Sequence, residues 1–213
     1  SVISIAEKGN LFNAPETYMD KIAVSNKIPS EATDLDFSVE KNIKNIADSL
    51  NKNITDISAC LLDRPRHKKI ISELKKMNVK IKLISDGDVA GALMVTDEKY
   101  GVDIFLGIGG GPEGVLAASA IDAYKCKFQG RFIFDNEKDI KRAKLMGIEN
   151  LNKKYDLKEI IKGDSIFCAT GITSGDLVKG ISLKDDNYIT QTLVTHKSSN
   201  TCKIVTREDT IKT

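Results

Sequence analysis

Histidine occurs only twice in this 213-residue sequence, at His67 and His196, and its four cysteines are scattered. Neither histidine has ligand spacing and Cys60, Cys126, Cys168 and Cys202 form no C-x-x-C pair, which argues against a zinc site. Three of the cysteines sit in strand-like apolar stretches and read as buried, reduced thiols. Charge of one sign is also missing. The 32 basic and 30 acidic residues leave a net charge of +2, which gives no support to a nucleic-acid or anionic-membrane partner. No run approaches the roughly 18 apolar residues of a membrane span, and no signal peptide or low-complexity segment is visible. A cytoplasmic protein is expected. An initiator Met is absent, and an apolar strand-like run begins at Val2, so the chain reads as cut within a fold whose partners lie upstream.

What is present is an ordinary globular composition, 41% hydrophobic and 29% charged. Two strands, "SVISIAEK" and "DKIAVS", open the chain. A helix follows in "FSVEKNIKNIADSLN", where Ile43, Ile46, Ala47 and Leu50 recur at i, i+3, i+4 and i+7. From residue 55 strands and helices alternate, and two period-2 runs around "KSSNT" close the chain as a hairpin. Alternation of this kind predicts an α/β fold with a largely parallel sheet, to which the hairpin adds antiparallel edge strands. Ligands in such folds gather at the carboxyl ends of strands.

Four strand ends carry candidate chemistry. In "DRPRH", Arg64 and Arg66 flank Pro65, which suits a first helical turn. Two cations there oppose the helix dipole, a conflict that a bound phosphate would remove and that ion pairs with Asp63 or Glu73 would also ease. In "SDGDV", Asp86 and Asp88 enclose Gly87 and could meet sugar hydroxyls or a hard cation, or Asp88 could simply cap the next helix. "ATGITSGD" reads as a plain loop.

The fourth, "GIGGGPEG", matches G-x-G-x-x-G from Gly109 to Gly114, and Asp135 follows at about the distance of a ribose-binding acid. Against a dinucleotide site, Pro112 removes a backbone donor and Glu113 adds an anion that no Lys or Arg in the loop offsets. Glu113 beside phosphate is tolerable if Mg²⁺ or Mn²⁺ stands between them; otherwise it only complements the helix dipole. Basic residues for phosphate plus carboxylates for a divalent ion suggest a phosphate-ester enzyme.

"AEKGNLFNAPETYMDKIAV", "LDRPRH", "LISDGDVAGAL", "LGIGGGPEGVLAA", "QGR" and "ATGITSGDLVKGI" occur in this order. As a set they resemble the class II fructose-1,6-bisphosphatases of the bacterial glycerol-regulon type, some of which also act on sedoheptulose 1,7-bisphosphate. The resemblance implies an αβαβα layered sandwich of the sugar-phosphatase type, seen here mostly as its C-terminal mixed sheet flanked by helices. It implies dependence on Mn²⁺ or Mg²⁺, hydrolysis of the 1-phosphate of fructose 1,6-bisphosphate in gluconeogenesis, and a homo-oligomer. Carried over by motif, Tyr18, Arg64, Pro65, Arg66, Asp86, Gly87, Asp88 and Gly110 would bind substrate, and Glu113 would be a metal ligand. The family's acid-cluster motif "DPLEGT" does not occur here. Residues 1–54 therefore read as the remnant of an N-terminal metal-binding domain and 55–213 as the C-terminal α/β domain. With most of the metal ligands missing, the catalytic residues are unassigned and the chain by itself is expected to be nearly inactive. A non-catalytic sugar-phosphate-binding module is the alternative.

Overall fold

The computed structural model describes residues 1–210. In chain order the elements are β1 (Val2–Ala6), β2 (Tyr18–Val24), α1 (Val39–Leu50), β3 (Ser58–Leu62), α2 (Lys68–Lys76), β4 (Lys80–Ile84), α3 (Asp88–Leu93), β5 (Ile104–Gly110) and α4 (Gly111–Asp122). There follow β6 (Lys127–Ile133), α5 (Glu137–Leu145), β7 (Tyr155–Asp156), α6 (Leu157–Ile160), β8 (Ser165–Thr170), β9 (Ser182–Lys184), β10 (Asn187–His196) and β11 (Thr201–Thr210).

They form two sheets. The first has six strands in the order β4-β3-β5-β2-β6-β7, and the second has β1-β8-β10-β11 with β9 beside β10. The expected largely parallel sheet is not what forms. Only β3 with β4 and β3 with β5 are parallel; β2, β6 and β7 join the first sheet antiparallel, and the second is antiparallel throughout. Alternation along the chain fixes which segments are strands but not their direction, and β2 enters the sheet centre without a crossover helix. Strands from both sides of residue 54 share each sheet: β2 lies between β5 and β6, and β1 pairs with β8. Residues 211–213 of the second expected domain lie outside the described residues.

Two apolar cores create the layering. Ile43, Ile46 and Ala47 of α1 and Leu74 of α2 pack on Ile22, Val24, Ala59, Leu61 and Ile104 of the first sheet. On its other face Met19, Ala23, Phe105 and Phe128 meet α4, whose Ala117, Ala118 and Ala120 also approach Phe167 and Leu193 of the second sheet. The second core is fastened by Ser119 and Ser165, whose hydroxyls lie 3.0 Å apart, and by Thr195, which donates to the Ala120 carbonyl at 3.1 Å. The order is thus helix, sheet, helix, sheet. On the face of the second sheet turned away from α4, Ile3, Ile5 and Ile166 are exposed, and no helix of the described residues covers them. Among those residues no helix is long and apolar enough to cross a membrane.

Of the four cysteines, all free, Cys60 is buried as expected, Cys126 is buried as well, Cys168 is only half-buried and Cys202 is exposed. Cys202 leaves the expectation because β11 is an edge strand with solvent along most of its length.

Candidate functional site

The parallel strands β3, β4 and β5 end on one side of the first sheet, and β2 begins beside the end of β5. Tyr18 is the register partner of Gly110. After β3, Pro65 starts a short 3₁₀ turn, Pro65–His67, that leads into α2. His67 is fully buried. Its Nδ1 lies 2.7 Å from the Leu62 carbonyl and its Nε2 accepts the Ile108 N–H at 2.8 Å, an arrangement that suits the neutral ring with its proton on Nδ1. His67 therefore pins the turn to β5. Arg66 continues the link by donating from Nε to the Ile108 carbonyl at 2.8 Å, and its guanidinium lies 4.8 Å from the centre of the Tyr18 ring. Such a contact orients a guanidinium and leaves its other donors available.

Gly110 is the N-cap of α4 and Pro112 and Glu113 lie in its first turn. The Glu113 carboxylate folds back over Gly110, where any side chain would collide with it. Glu113, Gly110 and Tyr18 share a depression of about 500 Å³ with Glu16, Thr17, Pro112, Asp135 and Asp139. The dinucleotide reading fails on this geometry. The Gly111 N–H is already donated to the Thr17 carbonyl at 2.7 Å, Pro112 has no N–H, and the carboxylate occupies the approach a pyrophosphate would need.

Asp88 does not cap α3. The N-cap is Gly87, with φ +88°, and there is no side-chain capping bond. The Asp88 carboxylate instead pairs with Lys21, a residue the sequence reading passed over. Lys21 lies on β2 between Met19 and Ala23, all three pointing into the core beneath α4, and its side chain has no solvent exposure. Its signal was a lysine at an inward position of a period-2 strand. Burial pulls its pKa below the ordinary lysine value, against the opposing pull of Asp88 and Glu113.

Tyr18, Arg66, Asp88, Gly110 and Glu113, from four segments, thus lie on the side of the first sheet where β3, β4 and β5 end. Arg64 and Asp86 are engaged locally: the Arg64 guanidinium donates to the Asp63 carbonyl, and the Asp86 carboxylate accepts from the Gly87 N–H. "ATGITSGD" is a loop tied to β4 by a 2.9 Å ion pair between Asp176 and Lys82. Thiol chemistry has no support, since burial pushes Cys60 and Cys126 up to about 11.

A hard divalent ion takes about six oxygen ligands. Among the described residues no group of three or more His, Cys, Asp or Glu side chains is arranged to hold one. These residues by themselves do not build a metal site, and Glu113 offers a single carboxylate.

Arginine stacked on a phenol, a carboxylate held near a glycine turn and a helix start thus meet at the carboxyl ends of the parallel strands of an α/β protein. The chain belongs to the family described as bacterial fructose-1,6-bisphosphatase, glpX-encoded, whose model matches residues 1–209. It is 36% identical over 96% of its length to the D-fructose 1,6-bisphosphatase class 2/sedoheptulose 1,7-bisphosphatase of Synechococcus sp. (strain JA-2-3B'a(2-13)), covering 62% of that protein. It is 35% identical over 96% of its length to the protein of the same name from Trichodesmium erythraeum (strain IMS101), covering 63%. With the fructose-1,6-bisphosphatase class 2 of Haemophilus influenzae (strain ATCC 51907 / DSM 11121 / KW20 / Rd) the identity is 35% over 95%, covering 65%. The chain thus spans somewhat under two thirds of these relatives.

Proposed function

We propose that this chain forms the sugar-phosphate-binding part of a phosphatase that hydrolyses the 1-phosphate of fructose 1,6-bisphosphate. The observation that carries this is the stacking of Arg66 on Tyr18, which pairs with Gly110 and lines a depression together with Glu113, in a chain of this family. Arg66 binds phosphate oxygens through the guanidinium donors that Ile108 does not use, and Arg64 adds charge from the neighbouring position. Pro65 fixes the turn that presents both. Tyr18 packs against the sugar, Asp88 accepts from its hydroxyls with Asp86 and Gly87 completing that loop, and Gly110 lets ligand approach the backbone. A bound Mn²⁺ or Mg²⁺ supplies charge neutralisation and a water of lowered pKa. This chain contributes Glu113 to that ion, with the other donors coming from outside these residues. Sedoheptulose 1,7-bisphosphate, named for the Synechococcus relative, is the second substrate to test. A five-layer αβαβα sandwich, in which a further helical layer covers the exposed Ile3, Ile5 and Ile166 face of the second sheet, belongs to this reading. A cytoplasmic homo-oligomer belongs to the same reading.

The test is Mn²⁺-dependent phosphate release from fructose 1,6-bisphosphate by the protein at its natural length. Arg66→Ala is expected to raise KM at least about tenfold, in keeping with about 1.5–3 kcal/mol for a hydrogen bond to a charged group. Lys153→Ala, which removes an exposed ion pair with Glu159 and a contact with the Tyr155 ring, is expected to change KM less than about twofold. Equal effects of the two would make Arg66 a turn residue, and absence of release would end the reading.

A further inference from the structure

Lys21 is an unusual residue to bury. Stability alone does not call for it, since a buried ion pair replaced by apolar groups of similar volume is often neutral or more stable. Yet its ammonium is paired there with one carboxylate, that of Asp88. Its register partners on both neighbouring strands are glycines, Gly107 on β5 and Gly130 on β6. Across the core, a side chain at Gly114 of α4 would come within 3.5 Å of the Lys21 Cε. At Gly109 a side chain would strike the Asp88 carboxylate and reach 3.0 Å from the Lys21 Nζ. The glycine at 109 therefore lets the ammonium meet one carboxylate, whereas side chains at Gly107, Gly130 and Gly114 would first strike His67 or Met19. Asp88 is its only hydrogen-bond partner among the described residues, and only Oδ2 of Asp88 is engaged. Asp88 keeps a side-chain exposure of 10%, whereas Lys21 keeps none.

We infer that Lys21 is a positioning residue for sugar recognition: from inside the core it holds Asp88 at the glycine turn, with Oδ1 left to accept from a sugar hydroxyl. This rests on the proposed reading of Asp88 as a sugar contact. Lys21 has no surface with which to touch a ligand, so its effect passes through Asp88. The helix start then has its orientation set from below. α3 is only six residues long, and its Gly87 cap places no side-chain restraint on Asp88. The ammonium supplies that restraint.

The experiment measures affinity of the 213-residue chain for fructose 6-phosphate and for inorganic phosphate, by calorimetry or NMR titration, in wild type, Lys21→Met, Asp88→Asn and the double variant. Wild type is expected to favour the sugar phosphate. Lys21→Met is expected to lose at least about tenfold for fructose 6-phosphate and less than about twofold for inorganic phosphate, a split that general loosening of the fold would not give. The double variant should match Asp88→Asn within about twofold, because Lys21 acts only through Asp88. If Lys21→Met fails to fold with a lone buried carboxylate, the comparison of Asp88→Asn with the double variant decides. An unchanged sugar-phosphate affinity in Lys21→Met, equal losses for both ligands, or a double variant far weaker than Asp88→Asn would overturn the inference. Wild type that binds phosphate with no preference for the sugar phosphate removes the sugar role of Asp88 and the inference with it, leaving the phosphate role of Arg66 intact. Wild type that binds neither ligand removes the proposed function as well.

Discussion

Asp20 and Lys21 are neighbours on β2 and burial displaces them in opposite directions, each toward its neutral form. For Asp20 burial raises the carboxyl pKa, and the bond from the Lys21 backbone and the charge of Arg131 only partly offset it. The folded-state pKa therefore lies above the unfolded value. The stabilisation linked to proton binding is complete below the unfolded pKa and is lost as pH rises through the folded one. At neutral pH the ionised Asp20 is thus a cost. Asp20→Asn, which keeps the shape and removes the charge, is expected to melt above wild type at pH 7, with the gap closing as pH falls below the carboxylate range. Denaturation followed at pH 7 and at pH 3.5 checks this; a gap of the same size at both would show that charge is not the cause. Lys21 marks where reading at this scale stopped. Period-2 alternation assigns inward positions to apolar residues, so a lysine there looks like an error in the pattern. Only the approach of Asp88 from the start of α3, distant in sequence, gives the buried charge its partner.

α4 was legible as a helix but not as a layer. The sequence "GPEGVLAASAID" is apolar on all sides, and nine of its twelve residues are buried. Such a helix has no outer face, which local periodicity cannot distinguish from a short core helix packed on one sheet. Its alanines let both sheets approach, and the hydroxyls of Ser119 and Thr195 then find partners across the layer. Ala118, fully buried, is the sensitive point. Ala118→Leu is expected to cost about 1–3 kcal/mol by overpacking, whereas Lys44→Leu on the exposed side of α1 should change stability by about 0.5 kcal/mol or less. Urea denaturation measures both, and equal losses would mean that α4 does not fill the space between the sheets. By contrast α1 was fully readable, because Ile43, Ile46 and Ala47 make a one-sided stripe and Ser38 supplies its cap. The short β7 and β9, two and three residues long, were not, since a period of two needs more residues to show. The candidate site was easier than the topology for a related reason. Arg66, Asp88, Gly110 and Glu113 lie at or just after the ends of β3, β4 and β5, so their place at strand ends is local information. The antiparallel entry of β2 depends on pairing with β5 and β6, more than 80 residues further along.

At the scale of the molecule, binding and chemistry separate. The edge of the first sheet gathers a cation, a phenol and a held carboxylate, which are the groups a sugar phosphate needs. It does not gather oxygen donors in the number a divalent ion needs, since among the described residues no group of three metal-capable side chains exists. A single Glu113 carboxylate leaves about five positions of a six-coordinate ion to water or to other donors, too little to fix the ion against a phosphoryl group. Residues 1–213 by themselves are therefore expected to bind fructose 6-phosphate while releasing phosphate from fructose 1,6-bisphosphate with Mn²⁺ at no more than about one hundredth of the rate of the protein at its natural length, two orders of magnitude being about 2.7 kcal/mol of transition-state stabilisation. In the natural-length protein Glu113→Gln, which keeps the size and removes the charge, should shift the Mn²⁺ dependence of phosphate release to higher concentration, with little change in unfolding midpoint. Glu113 has room for that exchange because its carboxylate borders an open depression rather than the core. Full turnover by residues 1–213 would show that one carboxylate and solvent suffice to hold the ion. An unchanged Mn²⁺ titration in Glu113→Gln would return that side chain to the role of a helix-dipole partner at the start of α4.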